Sequence, residues 1–313
     1  MDVPATVPTH FIGCDVGKSE IVVFDSRTER ITRVRNDNAA LVDFAAAIGP
    51  DALVICEATG GYEAALLDAL VTAGRTVHRA DARKVKAFIR SFGILGKSDT
   101  IDARALAQYG RERHDRLSRW QPRERQREQL HRLVSTRQEL VHQRVACRNR
   151  LQAPGMADVQ PRLKRILTAL DAEIAGLEAD IQALVDASDT LRKTIKILSG
   201  ISGIGAITAA QLTALMPELG TLGRRQAAAL AGLAPHPKQS GNNDGYRRTR
   251  GGRSDVKQAL FMAALAATQH NPELRAFYQR LIANRKKPIV AIVAVMRKLI
   301  VIANAKLRDA AFI

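Results

Sequence analysis

The chain is 313 residues long and carries 48 Lys and Arg against 31 Asp and Glu, a formal charge of +17. With 46% hydrophobic and 25% charged residues it is neither a disordered chain nor a collagen-like fibre, and 4% aromatics argues for Ala-, Leu- and Arg-rich helices over a β-sandwich. No apolar run reaches the ~20 residues of a membrane span; the closest, Pro288 to Val295, runs into Arg297 and Lys298, so no membrane partner is expected. The opening residues, MDVPATVPTH, have no basic or apolar stretch, so secretion is not expected. Cys14, Cys56 and Cys147 show no metal-ligand spacing and suit a reducing cytosol.

In chain order, His10–Val16, Glu20–Asp25 and Ile31–Arg35 read as short strands. They lie too close together for helical crossovers, which predicts an antiparallel meander. A helix is expected from Asn38 to about Ile48, a buried strand at Leu53–Cys56, a helix at Tyr62–Ala73, a strand at Thr76–Ala80 and a helix from about Asp99. Three antiparallel strands followed by alternating helix and strand is the order of a ribonuclease-H-like α/β fold. Residues 124–153 form a polar helix with a stripe of Leu130, Leu133, Leu140 and Val141, broken at Pro154-Gly155. Leu163, Leu167, Leu170, Ile174, Leu177, Ile181 and Leu184 then keep a heptad pattern, as in a helical hairpin or a dimerising coiled coil. Beyond Lys193 the chain is helical with glycine punctuation. Ser199–Gly205 (SGISGIG) suits either a helix-hairpin-helix phosphate contact or a tight connection. Pro235–Gly252 lacks any periodicity and reads as a long loop between the helical runs Arg224–Leu233 and Ser254–Thr268.

Charge is unevenly spread along this order. Residues 111–150 hold twelve Arg, no Lys and five acids; residues 224–257 hold eight basic residues and two acids; residues 275–308 hold nine and none. Such blocks predict a polyphosphate partner, with arginine forks on phosphates.

Four acids stand out against that background. Asp15 ends the first strand in Gly-Cys-Asp-Val-Gly-Lys, and Glu57 directly follows the strand Leu53–Cys56 in Cys-Glu-Ala-Thr-Gly-Gly-Tyr. Strand alternation sends Cys14 and Cys56 to one face, Asp15 and Glu57 to the other. Asp99 and Asp102 lie three apart at a helix start and share a face, where their charges repel unless a cation bridges them. Taken singly, each acid reads equally as a cap or turn residue. Together they form an oxygen donor set suited to Mg²⁺ or Mn²⁺.

These motifs, with Lys-Ser-Asp-Thr-Ile-Asp-Ala at Asp99 and Asp102 and Gln-Ser-Gly followed by Gly-Gly-Arg downstream, resemble the DEDD transposases of the insertion-sequence family that includes the Piv-type DNA invertases. The resemblance spans essentially the whole chain. It implies a RuvC-like catalytic domain over 1–118, a coiled-coil insertion over 119–192 and a mostly α transposase domain over 193–313. It further implies Mg²⁺ on Asp15, Glu57, Asp99 and Asp102, and a nucleophilic serine at Ser240 that forms a transient phosphoserine link to DNA. Donor and target DNA, a non-coding bridge RNA that pairs with both, and dimers pairing into tetramers are the implied partners. The implied location is the bacterial cytoplasm, near the nucleoid.

From the residues themselves, Ser240 sits between Gln239 and Gly241 with Arg247, Arg248, Arg250 and Arg253 downstream to neutralise phosphate charge; read alone it is a turn serine, and the resemblance carries its assignment as nucleophile. His236 is a conceivable base. Arg119, Arg123 and Arg132 are the other expected nucleic-acid contacts, with Trp120 beside Arg119 as a stacking or a core residue. A RuvC-like junction nuclease that uses water as nucleophile is the alternative. An actin-like kinase would need a second phosphate-binding Asp-x-Gly hairpin that the sequence does not supply.

Overall fold

The computed structural model describes residues 7–93, 96, 98–122, 124–240 and 243–310, the side chains of 238–240 and 243–246 excepted. The chain packs as two units, Met1–Pro122 and Arg123–Ile313.

In the first unit, β1 (His10–Val16), β2 (Glu20–Asp25) and β3 (Arg30–Arg35) form the expected antiparallel meander. α1 (Asn38–Ala47) follows, capped by the Asp37 carboxylate on the Ala40 amide. β4 (Ala52–Glu57), α2 (Ala64–Thr72) and β5 (Thr76–Ala80) complete a five-stranded mixed sheet of order β3-β2-β1-β4-β5, with β1, β4 and β5 parallel. β3 is an edge strand, and Arg30, Arg33 and Arg35 blunt it against pairing with another chain. Two helices end the unit: α3 (Ala82–Ser91), which the sequence reading did not anticipate, and α4 (Asp99–Arg113). Asp81 caps α3, and Val85 and Phe88 bury its inner side.

Strand alternation gives the sheet two cores. Ile12, Cys14, Val16, Val54 and Cys56 pack beneath Leu41, Leu66 and Leu70 of α1 and α2. Phe11, Leu53 and Ile55 pack beneath Val85, Phe88, Leu106 and Ala107 of α3 and α4. Leu41, Leu66 and Leu70 are fully buried, each contributing about 2 kcal/mol of apolar transfer. Trp120 belongs to this architecture: its amide donates to the Val77 carbonyl at 2.7 Å and its ring packs on the first of these cores. It therefore packs as a half-buried residue against the core, while its neighbour Arg119 is exposed.

The second unit opens with a hairpin of α5 (Arg125–Leu151) and α6 (Gln160–Asp186), turning at Pro154-Gly155. All seven heptad residues are buried or half-buried, and the Arg137–Glu178 and Arg144–Asp171 pairs tie the helices together. Leu130 and Val134 at one end of α5, with Ile181 and Val185 of α6, share a single core with Leu198, Leu212, Leu260 and Leu299 further along the chain. The base of the hairpin is thus part of the helical unit. That unit continues through α7 (Asp189–Ser199), α8 (Ala206–Leu215) and α9 (Arg224–Leu230). After α9 come the strands β6 (Pro235–Ser240) and β7 (Asn243–Thr249), then α10 (Ser254–His270), α11 (Pro272–Ala283) and α12 (Pro288–Ala310).

Three sequence expectations change here. The expected loop at 235–252 is largely a two-stranded antiparallel hairpin, β6–β7. It has polar residues in both alternating positions, so no period of two is visible in the sequence. The SGISGIG segment behaves as a tight connection. Gly203 holds φ +107° against α10, where a Cβ would lie 2.5 Å from that of Ala267. Finally, α12 continues past Arg297 and Lys298 and is long and apolar enough to cross a membrane by length and composition. Ala291, Val295, Leu299 and Ala303 are wholly buried along its inner stripe, which gives that apolarity a use as the core helix of this unit.

Candidate functional site

β1 and β4 are parallel neighbours in which Cys14 stands opposite Cys56. The next residue on each strand is Asp15 and Glu57, so two carboxylates emerge side by side at the C-terminal ends of the central strands. Both cysteines are fully buried on the opposite face. Burial raises the Cys14 thiol pKa, reinforced by Cys56 and by the negative charge of Asp15. Burial likewise pushes the Cys56 thiol up to about 12. Both thiols are thus neutral packing groups, and the chemistry of this edge belongs to the carboxylates.

α4 brings the other two acids. Asp99, Asp102, Ala103, Leu106, Ala107 and Gly110 recur at helical spacing on one face, which packs on the sheet. Close approach depends on two glycines. A Cβ on Gly13 would lie 2.0 Å from the Ala103 carbonyl oxygen, and one on Gly110 would lie 2.2 Å from Cδ1 of Ile55. Gly13 is two residues before Asp15 and shares its face of the strand, so the contact that seats α4 also holds its first turn beside Asp15. Ser98 fixes that turn by accepting from the Ile101 amide at 3.3 Å.

Asp15, Glu57, Asp99 and Asp102 together line one cavity of about 590 Å³. Glu20 of β2 and Lys86 and Arg90 of α3 line it too. The donor set fits a hard divalent cation: oxygen ligands from three elements, around a volume that leaves room for water and a phosphate. Among the described residues no three His, Cys, Asp or Glu side chains already form a metal-binding group. The four carboxylates are grouped only in the sense that they line one cavity.

Sequence reasoning missed the cations Lys86 and Arg90 because it missed α3. The available signal was Asp81 as a cap, followed by Val85, Phe88 and Ile89 at helical spacing. It also missed Glu63, whose side chain is 2% exposed. The Glu63 carboxylate accepts from the Thr59 amide and hydroxyl at 3.1 and 3.0 Å and from the Gly61 amide at 2.9 Å, and pairs with Arg79 of β5 at 2.5 Å. Desolvation opposes its charge, but its own backbone amide, the Arg79 guanidinium and the Gly61 amide overcome it and hold the pKa at about 2. Glu63 thus ties down the segment that follows Glu57, where Gly60 and Gly61 take φ +76° and +113°.

Ser240 lies in the second unit, at the end of β6 and in register with Asn243; its side chain is outside the described residues. His236 of the same strand stands opposite Arg248. Arg247, Arg248 and Arg250 are exposed, as are Arg119 and Arg132, the latter 3.8 Å from Glu128 across one helical turn. Arg123 lies outside the described residues. Arg253 departs from the expected phosphate role: its guanidinium is held by both carboxylate oxygens of Glu218, at 2.8 and 2.6 Å, and by the Leu215 carbonyl at 2.6 Å. That bidentate pair anchors the start of α10 and leaves little of the fork for a phosphate.

Two family models match the chain: a DEDD transposase model over residues 12–154, and a model of the transposase IS116/IS110/IS902 family over residues 195–279. The first contains Asp15, Glu57, Asp99 and Asp102 and the second contains Ser240. The pilin gene-inverting protein of Moraxella lacunata is 28% identical over 82% of this chain and 80% of its own length. An insertion element IS110 protein of Streptomyces coelicolor is 35% identical over 49% of this chain and 38% of its own. An insertion element IS900 protein of Mycobacterium paratuberculosis is 25% identical over 95% of each.

Proposed function

Because the chain belongs to the IS110/IS116/IS902 family of transposases, we propose that it cuts and rejoins DNA through a transient phosphoserine at Ser240, at a centre where Asp15, Glu57, Asp99 and Asp102 hold a divalent cation, Mg²⁺ or Mn²⁺. The observation that carries the reading is the single cavity lined by these four carboxylates. In the proposed step the Ser240 oxygen attacks a phosphodiester phosphorus. The Oγ–P bond forms, the P–O bond to the departing strand breaks, the hydroxyl proton passes to a base, and the departing oxygen takes up a proton. Attack by a free DNA hydroxyl on the phosphoserine reverses the sequence, restores the serine and joins new strands without an external energy source. When bound, the cation supplies Lewis-acid stabilisation of the oxyanions that develop on both sides of the phosphorus. The chain's own residues orient the phosphate. Lys86 and Arg90 border the acid cavity and suit its non-bridging oxygens, while the exposed Arg247, Arg248 and Arg250 suit the flanking backbone.

Sequence choice, in this reading, comes from a non-coding RNA of the element that pairs with donor and target DNA, while the protein reads backbone and shape. The net charge of +17 supports a partner load of this size. The first unit's element order, with acids at the ends of adjacent central strands, supports a RuvC-like catalytic domain.

The test is plasmid recombination by the purified chain with Mg²⁺ and a transcript of the element's flanking DNA. Recombinants are expected only with the transcript, and Ser240→Ala is expected to lose at least ~10³-fold in rate while still binding DNA. Cleavage that survives Ser240→Ala makes the protein a RuvC-like nuclease with water as nucleophile. Recombination without the transcript removes the guide.

A further inference from the structure

A second cavity system lies wholly within the helical unit. One cavity of about 660 Å³ is lined by α9, α11 and α12, and another of about 450 Å³ by β6, β7 and α12. The two share Ala294 and Arg297, so they form one groove along the outer side of α12. Each is of a size that accepts a nucleotide-like group. The floor is apolar: Phe277, Val293, Val301 and Ile302. The walls carry Arg224 and Arg225 from α9, Arg247 and Arg248 from β7, and Arg297 and Lys298 from α12, with no acid in either lining. Among the described residues, none of these six cations is engaged in an ion pair. Lys298 sits 4.5 Å from the centre of the Phe277 ring, at the junction of floor and wall.

We propose that this groove binds a single-stranded stretch of nucleic acid, with phosphates on the six cations and unstacked bases on the floor around Phe277. A run of cations without a single carboxylate calls for a polyanion. A duplex satisfies such cations but keeps its bases stacked inside, so the half-buried ring and aliphatic floor would gain nothing from it. A single strand presents base faces to an aromatic and apolar floor while its backbone follows the cationic rim. The inference stands on this groove alone and does not depend on the carboxylate centre or on Ser240.

The experiment is fluorescence anisotropy of the full chain, in chelator so that no strand chemistry occurs, with labelled ~12-nucleotide oligothymidylate, oligouridylate and a matched duplex. Arg225→Ala/Lys298→Ala is expected to weaken single-strand binding at least tenfold and to reduce the slope of log affinity against log salt by roughly 1.4. Phe277→Leu, which keeps an apolar filling, is expected to weaken single-strand binding about fivefold or more and to leave duplex binding unchanged. Thermal melts confirm that each variant is folded. Tighter binding of oligouridylate assigns the groove to RNA, and tighter binding of oligothymidylate assigns it to a displaced DNA strand. Unchanged single-strand affinity in the charge variant overturns the proposal even if Phe277→Leu proves unstable. So does equal loss of duplex binding in Phe277→Leu, a change of oligomeric state in its place, or displacement of the oligonucleotides by polyglutamate of matched charge.

Discussion

At the scale of single residues, Glu63 separates structural from catalytic roles among the acids. Its carboxylate is almost wholly buried yet charged, because three donors in the preceding loop and the Arg79 guanidinium face it. Glu63→Gln keeps one acceptor oxygen but turns an NH2 donor against either the loop donors or the guanidinium, so it is expected to cost about 2 kcal/mol of stability. The dependence on pH follows from the lowered pKa, about 2 against 4.5 for an unperturbed Glu. A group depressed in the folded state stabilises above its unfolded pKa, and that contribution disappears as pH falls through the folded one. The difference in denaturation midpoint between the parent and Glu63→Gln is therefore constant near neutral pH. It shrinks between about pH 4.5 and pH 2. A gap that holds unchanged down to pH 2 would remove the charge from this account. The four cavity acids were legible because each stood next to a strand end or helix start the sequence marked clearly. Glu63 was not, since its function lies in where the turn Ala58–Gly61 folds back, which no spacing encodes.

At the scale of elements, the seating of α4 on β1 and β4 decides whether the acids share a cavity. The two glycines at that contact differ in what opposes an added methyl. At Gly13 it is backbone, the Ala103 carbonyl and the Ala107 amide at 2.0 and 2.6 Å; at Gly110 it is the end of the Ile55 side chain. Gly13→Ala is thus expected to displace the helix, costing about 3 kcal/mol and most of the proposed recombination activity. Gly110→Ala is expected to cost about 1 kcal/mol, because Ile55 can change rotamer. Equal effects from the two, read by chemical denaturation, would contradict this view of the contact. The meander, the parallel strands and α4 were readable from strand-like runs and from their spacing. α3 and the β6–β7 hairpin were not. The first is short and bears four cations (Arg83, Lys84, Lys86 and Arg90) around only two buried residues, and the second alternates no apolar face at all. Both carry side chains that line cavities, so what sequence patterning hides here is the functional trim on a legible frame.

At the scale of the whole molecule, the proposed chemistry is divided between two packed units, with the carboxylates in one and the serine in the other. In an assembly of several chains the two halves can be supplied by different copies. An equimolar mixture of Asp15→Ala and Ser240→Ala chains, each inactive alone, is then expected to recover a measurable share of plasmid recombination. No recovery at any ratio would require both halves from one chain. The charge map was legible at this scale: the three basic blocks lie in α5 and the connection before it, in the β6–β7 region, and along α11 and α12. The extent of the helical unit was less so. The heptads of α6 suggest a separate coiled coil, whereas Ile181 and Val185 share one core with Leu260 and Leu299, contacts far apart in sequence that no local period records.

The most direct measurement is the mass spectrum of whatever remains attached to DNA. The chain is incubated with labelled DNA, transcript and Mg²⁺, quenched in denaturant, digested with protease and nuclease, and the nucleotide-bearing peptide is sequenced. A phosphodiester-linked residue at Ser240, absent when Asp15, Glu57, Asp99 or Asp102 is changed to Ala, is the predicted result. Cleaved DNA with no attached peptide, or an adduct that persists undiminished without those acids, would contradict it.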